Sequence, residues 1–129
     1  FKWDMYENYK FIKEKIDFKT EPNKRTIGTF TNFDSLDDKI DDLYYYMQFI
    51  KFGFGRCIRD ASRLIQNNHL TRQKGLKYVK KYDGEFPSRY LKETLNYLDM
   101  NIKEFESCID KHRNDEIWEK NNGKWILRN

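Results

Sequence analysis

Apolar residues recur at helical spacing along almost the whole chain, with polar positions between them. Met5, Tyr9, Ile12 and Ile16 form one stripe and predict a first helix. From 17 to 33 the spacing fails, and Pro22, Gly28 and several Thr and Asn predict a loop with a short extended piece. The strongest stripe follows: Leu36, Ile40, Leu43, Met47, Ile50 and Phe54. Ser35 with Asp38 fits a capping box with Asp in place of Glu, so this helix is expected to start at Leu36. Gly53 and Gly55 end or kink it.

A third helix is expected around Cys57 or Ile58, Ala61, Leu64 and Ile65, stopped by Asn67 and Asn68. Thr71 caps a fourth, around Leu76 and Val79, and Asp83-Gly84 turns the chain. Pro87 suits the first turn of a fifth, with Leu91, Leu95 and Leu98. Asn101 with Glu104 is a capping box for a sixth, carrying Ile102, Phe105, Ile109 and His112. After a short turn near Trp118, Asn122-Gly123 can reverse the chain into Trp125-Ile126-Leu127. The fold class is all-α: a bundle of five or six short helices with a small irregular or hairpin-like tail. Residues 1–129 read as a single helical domain, with a leading helix and loop (1–33), a helical core (34–113) and a tail (114–129).

Composition adjusts this picture in two ways. Only 38% of the 129 residues are hydrophobic and mean hydropathy is −1.01, which leans toward disorder. A 17% aromatic share argues for a folded domain, because each ring buries a large area. Charge is mixed, 25 basic against 21 acidic residues, unlike a dedicated DNA binder. No stretch approaches the roughly 20 apolar residues of a bilayer span, and no apolar leader is visible, so no membrane contact is expected. Two cysteines build neither a disulfide framework nor a zinc site, and the cytoplasm is the expected compartment. A chain opening on Phe1 rather than Met suggests a piece of something longer.

Two segments could carry chemistry. In Asp34-Ser35-Leu36-Asp37-Asp38-Lys39-Ile40-Asp41-Asp42, the pairs Asp37/Asp41 and Asp38/Asp42 are spaced i,i+4 on the side away from the apolar stripe. Close carboxylates repel. The cluster therefore answers either to the helix dipole or to a Mg²⁺ shared with substrate phosphates. In Lys51-Phe52-Gly53-Phe54-Gly55-Arg56, two glycines let the backbone approach a ligand between flanking cations. Arg56, Arg59 and Arg63 share a helix face that could hold phosphate or carboxylate. The alternative is an interhelical turn with internal ion pairing, for instance Arg56 with Asp60. It is no dinucleotide fingerprint, since Ile58 stands where a third Gly would be.

Other residues speak for packing or solvation. His69 and His112 lack metal-ligand spacing, and Cys57 and Cys108 sit mid-helix as reduced thiols. Lys74, Lys77, Lys80 and Lys81 read as a solvated face. Trp3, Trp118 and Trp125 fit a core or an interface equally.

The run Gly28-Thr29-Phe30-Thr31-Asn32-Phe33-Asp34-Ser35-Leu36-Asp37-Asp38-Lys39, then Leu43-Tyr44-Tyr45-Tyr46 and Phe49-Ile50-Lys51-Phe52-Gly53-Phe54-Gly55-Arg56, closely resembles the C-terminal part of the N-acetyl sugar amidotransferases of bacterial surface-polysaccharide and nonulosonic-acid pathways. Leu70-Thr71-Arg72, Val79 to Pro87 and Ile117-Trp118-Glu119-Lys120 agree, so the resemblance covers nearly the whole chain, most loosely before Gly28.

The resemblance implies a PP-loop ATP pyrophosphatase that uses ATP and Mg²⁺ to activate an acyl or amide oxygen and accepts ammonia from a separate glutaminase subunit. An acetamido sugar, nucleotide-linked or free, would become an acetamidino sugar. The family's Ser-Gly-Gly-x-Asp-Ser loop is not found in these 129 residues. The chain is thus expected to be inactive alone and to work beside an N-terminal PP-loop domain of the same protein, with no metal of its own.

On this reading Lys51 and Arg56 neutralise phosphate charge, Gly53, Gly55 and Arg59 complete the phosphate-binding candidates, and Asp34, Ser35, Asp37 and Asp38 orient metal or sugar hydroxyls. In the intact enzyme Lys51→Ala or Arg56→Ala should lower turnover by at least about tenfold and leave folding intact. The runner-up is a free-standing helical binding module, either for protein or as a helix-turn-helix over Thr71 to Leu98. Glu85, Glu93 and Asp99 interrupt the positive charge a DNA reader needs, so nucleic acid is not an expected partner.

Overall fold

Six helices and a terminal hairpin follow one another in the computed structural model, which describes residues 2–128; Phe1 and Asn129 lie outside the described residues. Helix α1 runs Met5–Lys15, α2 Asp41–Phe52, α3 Arg56–Gln66, α4 Arg72–Tyr82, α5 Leu91–Tyr97 and α6 Ile102–His112. Strands β1 (Trp118–Asn121) and β2 (Lys124–Leu127) pair antiparallel, with Trp118 opposite Leu127 and Asn121 opposite Lys124. The mostly helical class with a hairpin tail is therefore observed. Among the described residues no helix is long and apolar enough to cross a membrane.

Local signals explain most boundaries. Thr71 accepts from the Lys74 amide at the head of α4. At α6, Asn101 and Glu104 form the full reciprocal box. Asn122 and Gly123 both take positive φ, 49° and 79°, as a two-residue hairpin turn requires.

Two expected starts are displaced. The second helix begins at Asp41, not Leu36. Ser35 adopts φ 50°, and Asp38 accepts from the Ile40 amide at 3.0 Å, an Asx turn in place of the cap. Residues 34–40 form an anchored loop, so Asp37/Asp41 and Asp38/Asp42 are not i,i+4 helix neighbours. The fifth helix starts at Leu91, with Pro87 buried in the connection before it rather than in its first turn.

The core joins α2, α5 and α6 through Leu43, Ile50, Leu95, Phe105 and Ile109. The hairpin closes its end: the Trp118 ring meets Phe49 edge-on at 5.2 Å, and its indole N–H donates to the Ile50 carbonyl at 2.6 Å. That carbonyl belongs to the last turn of α2, which has no helical donor of its own. A second layer packs α3 on α4 around Cys57, Ala61, Leu64 and Gly75. Helix α1 buries no residue fully; Ile12 and Ile16 of its expected stripe are exposed, and so is Phe11. It rests on the body through its aromatic side, where Tyr9 stacks on Phe33 at 4.3 Å.

Candidate functional site

Helix α3 begins where α2 ends, and the turn between them is built from glycine for steric reasons. Gly53 leaves α2 with φ 75°, and a Cβ there would stand 2.8 Å from Ile117. Gly55 approaches Asp83 so closely that a Cβ would lie 2.9 Å from its carboxylate. That carboxylate accepts from the amides of Gly55 and Cys57, each at 2.9 Å, and of Ile58 at 3.4 Å. Asp83 thus caps α3 from a distant part of the chain. Burial pushes its pKa up, and the three amides oppose that rise. The helix start expected to cradle phosphate already holds an anion of the protein's own.

Arg56 turns inward and is fully buried. Its guanidinium lies 4.9 Å from the centre of the Tyr45 ring, donates through Nη2 to the Asp34 carbonyl, and has Asp42 at 4.0 Å. Arg59 stacks on the same ring at 4.5 Å and donates to the Tyr45 hydroxyl. It also holds the Asp34 carboxylate at 2.5 Å and Asp60 at 3.2 Å. Asp60 is buried and accepts from Thr29 at 2.7 Å and Thr31 at 2.8 Å. The expected Arg56–Asp60 pairing is therefore replaced: Arg59 takes Asp60, and Arg56 serves the loop at Asp34. Ser35 hydrogen-bonds Tyr45 at 3.0 Å, so both ends of Asp34-Ser35 are tied to one buried ring.

The loop so fixed forms one wall of a groove of about 320 Å³. Ser35, Asp37, Asp38 and Lys39 of that loop line the groove together with Lys19, Thr20 and Glu21 and with Arg89 and Tyr90. Arg89 is held rigidly. It binds the Asp42 carboxylate with two contacts of 3.1 Å, donates to Glu21 at 2.6 Å, and lies 4.4 Å from the centre of the Tyr90 ring. Asp42, expected on the outer side of its helix, is instead buried. Burial raises its pKa, opposed first by Arg89 and then by Arg56. Lys39 pairs with Glu93 at 2.6 Å at the edge of the groove.

Of the expected site residues, the structure brings Asp34, Ser35, Arg56 and Arg59 into one network and places Asp37 and Asp38, both exposed, on its groove side. Lys51 stands apart, exposed, with its ammonium 5.3 Å from the Phe52 ring centre. Among the described residues no group of three His, Cys, Asp or Glu is arranged to hold a metal ion.

Sequence reasoning passed over Arg89, Tyr90, Glu21 and Asp83. One signal was available: Asp42 precedes Leu43 and lies three and four residues before Tyr45 and Tyr46, facing the interior, where a carboxylate demands a cation.

No curated protein matches the chain. Residues 27–129 match the family model described as "LPS biosynthesis protein WbpG-like, C-terminal domain". That span begins one residue before the Gly28 run, contains the Tyr45-centred network, and leaves α1 outside. The chain therefore belongs to the WbpG-like C-terminal domain family of lipopolysaccharide biosynthesis proteins.

Proposed function

We propose that this chain is the C-terminal helical region of an ATP-dependent N-acetyl sugar amidotransferase, and that its groove binds the sugar that becomes an acetamidino sugar. The observation that carries the reading is the groove's composition. Two exposed carboxylates, a hydroxyl, a fixed guanidinium and a tyrosine ring, over which the Arg89 and Lys39 cations lie, line one open cleft. Carboxylates accept hydrogen bonds from sugar hydroxyls, and cations favour a linked phosphate. Family membership in lipopolysaccharide biosynthesis agrees with a sugar substrate.

ATP does not fit the residues present, because the glycine-flanked head of α3 has its amides committed to Asp83. Activation by ATP is assigned to a PP-loop domain of the same protein, and ammonia supply to a glutaminase subunit. Mg²⁺ would be held by Asp37 and Asp38 with substrate phosphates completing its shell, an arrangement its chemistry favours; when bound it neutralises phosphate charge. Within this chain, Arg89 orients the substrate from a position set by Asp42 and Glu21. Arg56 and Arg59 fix the loop that carries the two carboxylates. Their role is positioning.

The test is steady-state kinetics of the complete enzyme with Asp37→Asn and Asp38→Asn combined. Both residues are exposed, so folding should persist, while the KM for the sugar rises by about tenfold, equivalent to one or two lost charge-assisted hydrogen bonds. An unchanged KM overturns the assignment.

A further inference from the structure

Helix α4 reads RQKGLKYVKKY, with five cations and no acid. Setting those five aside from 25 basic and 21 acidic residues leaves 20 against 21, so the chain's whole positive excess sits on this one helix. Its inner side is fixed by packing on α3. Gly75 is buried where a Cβ would meet Ile65 at 2.8 Å, and Tyr78, Val79 and Tyr82 are half-buried. Arg72, Lys74, Lys77, Lys80 and Lys81 are all exposed.

No carboxylate lies within ion-pair distance of any of the five among the described residues, so their charge is not neutralised within the chain. Lys77 has like charges three residues before it and three and four after it, an arrangement that destabilises an isolated helix. A counter-charged surface would relieve that repulsion.

The side chains indicate which surface. Four of the five cations are Lys, a hydrated point charge without the fixed fork Arg uses for directional pairing. Protein interfaces are depleted in Lys and enriched in aromatic residues, and here both tyrosines face inward. Leu76 is 49% exposed and, at helical spacing, stands between Arg72 and Lys80. An apolar side chain among lysines gains burial at a lipid headgroup boundary, and gains nothing against a phosphate backbone in water. We propose that the solvent face of α4 is a polybasic ridge that docks the protein peripherally on an anionic phospholipid surface. The lack of a spanning helix does not bear on this, since peripheral binding needs none. The inference is independent of the sugar groove.

The test is co-sedimentation of the complete protein with vesicles of equal parts phosphatidylglycerol and phosphatidylcholine at low salt, against phosphatidylcholine alone. Binding is expected only to the anionic vesicles, with release at high salt. Each cation near such a surface is worth about fivefold in partitioning, so Lys77→Gln, Lys80→Gln and Lys81→Gln together should weaken binding about a hundredfold. The corresponding triple Arg variant should retain binding, which separates lost charge from lost fold. Absence of binding by the native protein overturns the proposal, as does binding that the triple Gln variant keeps. Duplex DNA or polyglutamate bound through the same lysines, with anionic vesicles left unbound, reassigns the ridge to nucleic acid or to an acidic protein and equally overturns it.

Discussion

Replacing Arg56 by Ala separates a ligand contact from a structural support. In the structure the Arg56 side chain is fully buried, lies over Tyr45, donates to the Asp34 carbonyl and helps balance Asp42. Truncation removes one member of a buried charge cluster and leaves a cavity. Such changes cost about 3–5 kcal/mol from the broken pairing. Asp42 keeps its two contacts with Arg89, which places the loss near the middle of that range, about 4 kcal/mol. Against a total stability of about 5–15 kcal/mol, that is a large fraction.

Urea unfolding is the assay. With a slope of about 2 kcal/mol per molar, the midpoint should fall by about 2 M. Arg56→Met, which fills the space without a charge, should recover part of that loss, because apolar replacement of buried ions is often tolerated. If the groove binds sugar as proposed, the same variants in the complete protein should raise the sugar KM, because Arg56 anchors the loop bearing Asp37 and Asp38. A midpoint unchanged within about 0.3 M, accompanied by lost turnover, would refute this reasoning and restore Arg56 as a direct phosphate ligand.

Two further outcomes follow from the same geometry. Glu85 accepts from Arg25 at 2.7 Å on each oxygen and from the Gly28 amide at 2.9 Å, and the Arg25 pairing lowers its pKa below 4.5. A depressed carboxylate stabilises the fold above its unfolded value and loses that contribution as pH falls through the folded one. Glu85→Gln should thus lower the urea midpoint at neutral pH, by an amount equivalent to about 1 kcal/mol, and match the native protein well below pH 4.5; an equal difference at both pH values counts against the pairing. Cys57 is buried, and burial, with Asp83 and Asp60 nearby, pushes its thiol up to about 12, while Cys108 is half-buried. A thiol reagent at mildly alkaline pH should label one cysteine quickly, and peptide mapping should find it at Cys108; rapid labelling of Cys57 in the folded protein contradicts the packing.

How much of this the sequence disclosed depends on how far each determinant reaches. The Asn101–Glu104 box and the Asn122-Gly123 turn act within four residues, and both could be read directly. Ser35 and Asp38 carry the same kind of local signal, yet the helix starts at Asp41, because Tyr45, Arg56 and Arg59 claim the loop from outside. The cap of α3 is Asp83, over twenty residues away, and no local pattern announces it. The groove was half legible. Asp37, Asp38 and Ser35 stood out by composition, whereas Arg89 and Tyr90 sit in an aperiodic connection, where Asp42 and Glu21 fix the place of Arg89.

The run Phe49 to Arg56 looked in sequence like a ligand cradle because glycines between cations often are one. Its glycines answer to close packing. A Cβ on Gly53 would meet Ile117 and Leu127, and one on Gly55 would meet Asp83; outside the run, one on Gly84 would fall 2.2 Å from the Phe49 ring. The segment is therefore where α2, α3, the Asp83-Gly84 turn and the hairpin converge, and each glycine marks one approach. Arg56 completes the junction by reaching past it to Asp34. Exposure then sets the division of labour: groups buried at the junction have no surface with which to meet a substrate, while Asp37 and Asp38, carried on the loop that the junction holds, do. Substitutions at the glycine run should move stability first and kinetics through it; on the proposed reading Asp37→Asn should move substrate affinity with little change in stability, whereas truncating Asp38 to Ala also removes the acceptor of the Ile40 amide and should cost some of each.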